Sequence, residues 1–314
     1  MTSIIFLGTP KFAVPILEAL SENDYEIKAV VTQSDKKVGR KQKVTETPVK
    51  LLAKKLNLPV FQPKHLGKSD ELIDLIKMHA DLIITAAYGQ FLPSKFLQSA
   101  KIAAVNVHGS LLPKYRGGAP IQYALINGDK QTGVTIMEMV KQMDAGDIYS
   151  QKTIDIQKED NAGTLFEKLS LLGRDLLLQT LPQIIANPQK KVSQDEDKVV
   201  FSPNINKGQE QIKLNMTATK ANNLIRGLNP DPGAYLLIDG KRFKIWQAEV
   251  AGDTTTFPAG VVVDNKKRFA ISFANHTVLN LLEVQPSGKK KMPVKSFLNG
   301  QGKNFSKGDK IVSS

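Results

Sequence analysis

Strand-length apolar runs alternate with helix-like segments over the first 110 residues, and no other feature restricts the possible folds as much. The runs are "SIIFLG" (3–8), "IKAVVTQ" (27–33), "LPVFQ" (58–62), "DLIITAAYG" (81–89) and "IAAVNVHG" (102–109). Between them lie "FAVPILEALSE" (12–22), "TPVKLLAKKLN" (47–57) and "DELIDLIKMHA" (70–80), whose apolar residues recur at helical spacing. Strands buried on both faces need no period-two polarity, and these runs have none. The pattern predicts a doubly wound, mostly parallel sheet with helices on both faces, the Rossmann-like architecture.

Two further strands, "GVTIMEMV" (133–140) and "GDIYSQKTIDI" (146–156), are expected around a turn, followed by a long helix over about 161–185. The next stretch is polar and aperiodic, with prolines near both ends. We read domain boundaries of 1–187 and 207–314, with a linker over 188–206. Past the linker come one helix-like segment, "ATKANNLIRGL", and several short strand-like runs between Gly, Asp and Asn turns, which predict a small β-barrel. The single Trp246 sits in one such run and is expected in the core.

A chain of 314 residues with 41% hydrophobic and 23% charged residues has the composition of a folded protein of two ordinary domains. It has no cysteine, which removes thiolate nucleophiles, disulfides and cysteine-ligated zinc. Its four histidines, at 65, 79, 108 and 276, show no ligand spacing, so no metal is expected. No apolar run reaches the roughly 18 residues of a membrane span, and no secretory leader is evident, so a cytoplasmic protein without a membrane partner is expected. The formal net charge of +13 suits a polyanionic partner. Residues 205–314 hold 17 Lys and Arg against 8 Asp and Glu, so nine of those thirteen charges fall in the last third.

Several common motifs fail. A dinucleotide fingerprint after the first strand would need Gly at 10 and 13, where the chain has Pro10 and Ala13, so NAD is not expected. Gln62 stands where a P-loop ending in Lys68–Ser69 would need its first glycine. No G-x-S-x-G nucleophile elbow is present.

The stretch "NVHGSLLPKYRGGAPIQYAL" (106–125) is different, because it places an amide, an imidazole and a guanidinium (Asn106, His108, Arg116) where an apolar strand should end. Ligand crevices of open α/β sheets lie beyond the carboxyl ends of the strands. Asn106 and His108 are two residues apart, so an extended chain directs both to one face. On spacing alone they serve equally well as caps that bond to nearby backbone. Asp144, in "QMDAGDI", is by itself a turn residue or a carboxylate able to orient an imidazole. Together the three suit acyl transfer: an amide donor for an oxyanion, an imidazole for charge or proton management, and a carboxylate to position it. Ser110 is a candidate nucleophile, but direct attack by a substrate amine needs none.

"NVHGSLLPKYRGGAPIQYALINGD" with "TGVTIMEMVKQMDAGDI", supported by "FLGTPKFA", "AAYGQFLP" and "LNPDPGAY", resembles the folate-dependent formyltransferases over nearly the whole chain. Within them it is most similar to the branch that acts on charged initiator methionyl-tRNA. The resemblance implies formyl transfer from 10-formyltetrahydrofolate, a catalytic trio of Asn106, His108 and Asp144, and contact of Ser110, Leu111, Leu112 and Pro113 with the folate. It also implies a C-terminal OB-like β-barrel, a monomeric enzyme, and a basic insertion that engages the tRNA acceptor end. In this chain the insertion is "QSDKKVGRKQKVTETP" (33–48), with Arg40, Lys41 and Lys43 as the expected contacts. Read without the resemblance, it is more simply a solvated basic loop, which charge runs usually are. Asp231 and Gln211 depart from the family pattern, both in the C-terminal part. Rival readings are formylation of a nucleotide-linked amino sugar or of glycinamide ribonucleotide, and a tRNA-binding protein without chemistry.

Overall fold

The computed structural model describes residues 1–38 and 42–312, which form two compact units. The first comprises Met1–Pro120, Gln131–Asp155 and Phe166–Pro203; the second comprises Ile121–Lys130, Ile156–Leu165 and Asn204–Ser314.

The first part of the chain runs β1 (Thr2–Gly8), α1 (Val14–Ser21), β2 (Tyr25–Val31), β3 (Lys36–Val38), β4 (Lys43–Thr45), α2 (Pro48–Lys55), β5 (Val60–Phe61), α3 (Glu71–Lys77) and β6 (Leu82–Ala86). It continues through α4 (Ser94–Leu97), β7 (Ala103–His108), β8 (Lys114–Arg116), α5 (Pro120–Ile126), β9 (Gln131–Glu138), β10 (Ile148–Asp155), α6 (Ala162–Ala186) and β11 (Val200–Phe201). Seven strands make the main sheet, in the order β10-β9-β7-β6-β1-β2-β5. Strands β5 to β7 are parallel along this order, and β9 and β10 are antiparallel additions at one edge. From β1 the chain winds to β2 and β5 on one side, then returns to β6 and β7 on the other. The direction of winding therefore reverses between β1 and β6, where such sheets open a crevice.

The expected apolar runs are the strands of this sheet. Ile4, Phe6, Leu7, Val30, Ile83 and Val105 are fully excluded from solvent, as strands covered on both faces require. Local signals set the helix ends: Thr47 caps α2 by accepting the Lys50 N–H at 3.1 Å, with Pro48 as the first helical residue.

The basic stretch 33–48 is a hairpin at its centre, not a loop throughout: β3 pairs antiparallel with β4 through Lys36–Thr45, Lys37–Val44 and Val38–Lys43. β-Branched Val44 and Thr45 favour extended backbone there. Its foot is pinned. The Asp35 carboxylate accepts from Lys50 Nζ at 2.7 Å and from Gln62 Nε2 at 2.8 Å, contacts that hold its pKa below the ordinary range. Of residues 188–206, read as a linker, those up to Pro203 group with the first unit. Val192 bridges Ile148, and β11 lies parallel to β8.

In the second unit α7 (Ala218–Gly227) precedes β12 (Ala234–Ile238), β13 (Lys241–Thr254), β14 (Val262–Asp264), β15 (Phe269–Ser272), β16 (Thr277–Gln285), β17 (Met292–Pro293) and α8 (Val294–Asn299). The antiparallel order is β12-β13-β16-β15-β14, with β17 also on β16. Near the C-terminus, Val312 bridges Ile238 at the end of β12, and Lys310 bridges Val261 just before β14. The same short segment thus touches both edges of the sheet and closes it into the expected barrel. Phe243, Phe269 and Phe297 meet inside, their ring centroids 5.2 and 5.3 Å apart along the chain of contacts. Trp246, expected in the core, is only half-buried. The alternation along β13 buries Phe243 and Ile245 and leaves Lys244 and Trp246 on the other face, with the indole packed on Gly233.

One close approach in the first unit is demanding. A Cβ on Gly133 of β9 would lie 2.2 Å from the Lys152 carbonyl oxygen on β10 and 2.5 Å from a Leu111 methyl group. Gly133→Ala should therefore lower stability by about 1–3 kcal/mol through overpacking. The measurement is a denaturant midpoint at unchanged m-value, and an unshifted midpoint would refute the close packing.

Candidate active site

Asn106 and His108 occupy the carboxyl end of β7, beside β6 and next to the reversal in strand order. Sheet register sets Thr85 of β6 opposite Asn106 and Thr135 of β9 opposite His108. The Thr85 hydroxyl donates to Asn106 Oδ1 at 2.9 Å, with the Val105 carbonyl and the Met139 sulfur also in reach. With its oxygen held by Thr85, the Asn106 amide presents an NH2 group that has no hydrogen-bond partner among the described residues.

His108 is almost fully buried. Its Nε2 donates to the Tyr115 carbonyl at 2.9 Å, and its Nδ1 lies 3.7 Å from Asp144 Oδ1. Acceptors thus flank both ring nitrogens. Donation to a carbonyl fixes the Nε2–H, while Nδ1 faces the Asp144 carboxylate without a hydrogen bond to it. The Asp144 separation exceeds hydrogen-bond length, which leaves the Nδ1 side able to serve a substrate oxygen.

Asp144 lies in the loop between β9 and β10, where its other oxygen, Oδ2, accepts the Gly117 N–H at 2.8 Å. Both Asp144 (φ 50°) and Tyr115 (φ 65°) have left-handed backbone. Aspartate tolerates this conformation, but a bulky residue held there costs on the order of 1–3 kcal/mol. At Tyr115 the unusual backbone accompanies the carbonyl that meets His108. The structure therefore brings together the three residues singled out from the sequence.

The segment Ser110–Pro113 is a self-bonded turn. Ser110 is fully buried, and its hydroxyl donates to the Lys114 carbonyl at 2.6 Å, so it is placed neither as a nucleophile nor as a free donor. Thr135 Oγ1 donates to the Ser110 carbonyl at 2.7 Å and accepts from Leu112 N–H at 3.2 Å. Gln151 Nε2 donates to the Leu112 carbonyl at 2.8 Å. With these polar groups engaged, the partly exposed Leu111 and Pro113 offer mainly apolar surface. Sequence reasoning missed Thr85, Thr135 and Gln151. Their only signal is polarity within strands that are otherwise apolar or half-buried.

The segments "FLGTPKFA" and "AAYGQFLP" meet at the reversal in strand order. There the Tyr88 carbonyl accepts from Thr9 Oγ1 at 3.0 Å and Gln33 Nε2 at 2.9 Å. Arg40 and Lys41 lie outside the described residues, whereas Lys43 opens β4 with its side chain exposed. Among the described residues no group of three or more His, Asp or Glu is arranged to hold a metal, and no helix is long and apolar enough to cross a membrane.

Arg116 is buried, with only 1% of its surface exposed, and makes a two-pronged pair with Glu196 at 2.7 and 3.2 Å. The guanidinium holds the Glu196 carboxyl below its ordinary pKa of 4.5. The unfolded chain therefore takes up this proton first on acidification. The pair's stabilisation is complete above the ordinary value and disappears as pH falls through the lowered one. Glu196→Gln should flatten the acid limb of the stability–pH curve below the ordinary carboxyl value of 4.5, read by denaturant titration, and an unchanged acid slope would contradict the assignment.

Residues 2–181 match the Formyl transferase family, and residues 204–302 match the Formyl transferase C-terminal domain. A methionyl-tRNA formyltransferase of Lactobacillus acidophilus is 70% identical over 99% of both chains. One from Lacticaseibacillus casei is 53% identical over 100% of this chain and 99% of its own. Among solved structures, an N-formyltransferase from Helicobacter canadensis, in complex with folinic acid and dTDP-3-aminofucose, superposes with a TM-score of 0.67 at 19% identity. That superposition covers 91% of this chain and 100% of the other, and at such low identity it shows likeness of fold. With an Asn, a His and an Asp gathered at the carboxyl end of β7, and with family matches across both parts of the sequence, the chain belongs to the formyltransferase family.

Proposed function

We propose that the chain transfers the formyl group of 10-formyltetrahydrofolate to the α-amino group of methionine on charged initiator tRNA. The observation that carries this reading is the constellation of Asn106, His108 and Asp144, with the amide NH2 left free by Thr85 and hydrogen-bond acceptors on both sides of the imidazole. The uncharged amine attacks the formyl carbon, forming a C–N bond and placing negative charge on the formyl oxygen. Asn106 donates to that oxyanion, and the His108 imidazole beside it contributes a second stabilising group through its Nδ1 side. Collapse breaks the bond from carbon to N10. The proton lost by the amine moves to N10, with Asp144 orienting His108 and assisting the transfer through water. The step is neither a redox reaction nor one that needs a metal. The folate acts as a co-substrate that packs on the turn 110–113, through the partly exposed Leu111 and Pro113, with Ser110 and Leu112 buried beneath and shaping the turn.

The tRNA is held at its acceptor end by Arg40, Lys41 and Lys43 of the basic stretch 33–48, and along its backbone by the basic C-terminal domain, residues 207–314. The excess of Lys and Arg in that part of the sequence supports this assignment. All three catalytic side chains come from one chain, which supports a monomer as the working unit. Initiator tRNA is charged and used in the cytoplasm, which is the compartment proposed.

The deciding assay follows labelled formyl from 10-formyltetrahydrofolate, with charged initiator tRNA, uncharged tRNA and a UDP-linked amino sugar as parallel acceptors. Labelling of the charged tRNA alone is expected, and labelling of the sugar instead would overturn the acceptor assignment. In the same assay Asn106→Ala should lower turnover on the order of 10²- to 10³-fold, and near-normal turnover would remove Asn106 from the oxyanion site. Arg40→Ala and Lys43→Ala should each raise KM for tRNA while leaving KM for folate unchanged. Each should also reduce the slope of log affinity against log salt by about one, and an unchanged slope would mean that the residue meets no phosphate.

A further inference from the structure

Asp144 stands on a loop, so its place beside His108 is not fixed by sheet register. The segment over residues 191–196 lies against both ends of that loop. Lys191 Nζ pairs with Glu138, at the loop's start, at 2.6 Å, and Val192 exchanges backbone hydrogen bonds of 2.8 and 2.9 Å with Ile148, just past its end. Between these anchors, Gln194 reaches the loop itself. Its Nε2 donates to the Asp144 carbonyl at 2.8 Å and to the Gly146 carbonyl at 2.7 Å. Its Oε1 accepts from Arg116 Nε at 3.0 Å and Nη2 at 2.9 Å. The buried Arg116 is itself held by Glu196.

The loop has little slack at this point. A Cβ on Gly146 would lie 2.0 Å from the Glu138 carbonyl oxygen, so the backbone there passes directly against β9. One amide side chain thus satisfies the carbonyl of a left-handed aspartate and that of Gly146 two residues on, and is itself fixed by a buried guanidinium. We propose that Gln194 is a positioning residue for the formyl-transfer reaction: clamped by Arg116, it sets the Asp144 carboxylate relative to His108. The inference rests on the catalytic reading above for its kinetic consequence, but not for its structural one.

Two variants separate the parts of the clamp. Gln194→Glu keeps an acceptor for Arg116 and loses the donor to both carbonyls, whereas Gln194→Met loses all four bonds without adding charge. Both should lower kcat about 10- to 100-fold, the loss typical of a catalytic group misplaced by about 1 Å, with KM for either substrate changed by less than about twofold. In an Asp144→Ala background the same substitutions should cost almost nothing further, because no carboxylate remains to be positioned. Amide hydrogen exchange at Gly117, whose N–H is held by Asp144 Oδ2, should accelerate in both variants of the otherwise intact enzyme. This last readout needs no turnover, so it tests the clamp even if the acceptor assignment fails. An unreduced kcat, an equal loss in the Asp144→Ala background, or unchanged exchange at Gly117 would each overturn the proposal.

Discussion

The site depends on a carboxylate being held where no regular structure holds it. Asn106 and His108 stand on β7, so backbone pairing with β6 and β9 fixes where their side chains start. Asp144 has no such support, and its position is the result of cross-bonds: its side chain to the Gly117 amide, and its own carbonyl to Gln194. A buried cation, Arg116, stands behind that arrangement. Buried guanidinium groups need near-complete pairing to be tolerated, and here the partners that satisfy Arg116 are borne by the segment that clamps the loop.

Polar commitments elsewhere follow the same logic. The Ser110 hydroxyl donates to the Lys114 carbonyl, Thr135 of β9 donates to the Ser110 carbonyl, and Thr85 engages the oxygen of Asn106. On β7 itself, among the described residues, the Asn106 NH2 and the Nδ1 side of His108 carry no hydrogen bond. Such groups, fixed before the substrate arrives, are what developing negative charge requires, because no reorganisation is needed as the charge forms. Chemistry of this kind needs no enzyme nucleophile, in keeping with a chain that lacks cysteine and has its only serine in this segment internally bonded.

The second unit has a separate physical basis. Its barrel is closed by the bridges of Lys310 and Val312 to opposite edges of the sheet, which removes the exposed strand edges that would otherwise invite pairing with another chain. Aromatic rings fill its interior, while the outward face of β13 carries Lys244 next to Trp246 at 5.2 Å from the ring. The cation and the half-buried indole share one outward-facing surface because side chains alternate along a strand.

The sequence alone determined the strands, their mostly parallel arrangement and the β character of the second unit, and it singled out Asn106, His108 and Asp144 as the candidate site. These were legible because apolar runs and helical periodicity are local, and because polar residues at a strand's carboxyl end stand out against an apolar background. It could not show that 36–38 pairs antiparallel with 43–45, since short strands at this length differ little from a polar loop in composition. Nor could it show that Trp246 faces away from the core, which depends on the phase of β13 against its neighbours. Residues 188–203 read as featureless because their partners are 40 to 80 positions away: Ile148 for Val192, Asp144 and Arg116 for Gln194, Arg116 for Glu196. Tertiary structure alone decided those contacts, and with them the place of Asp144, because a loop's position is set by what it touches and not by its own residues.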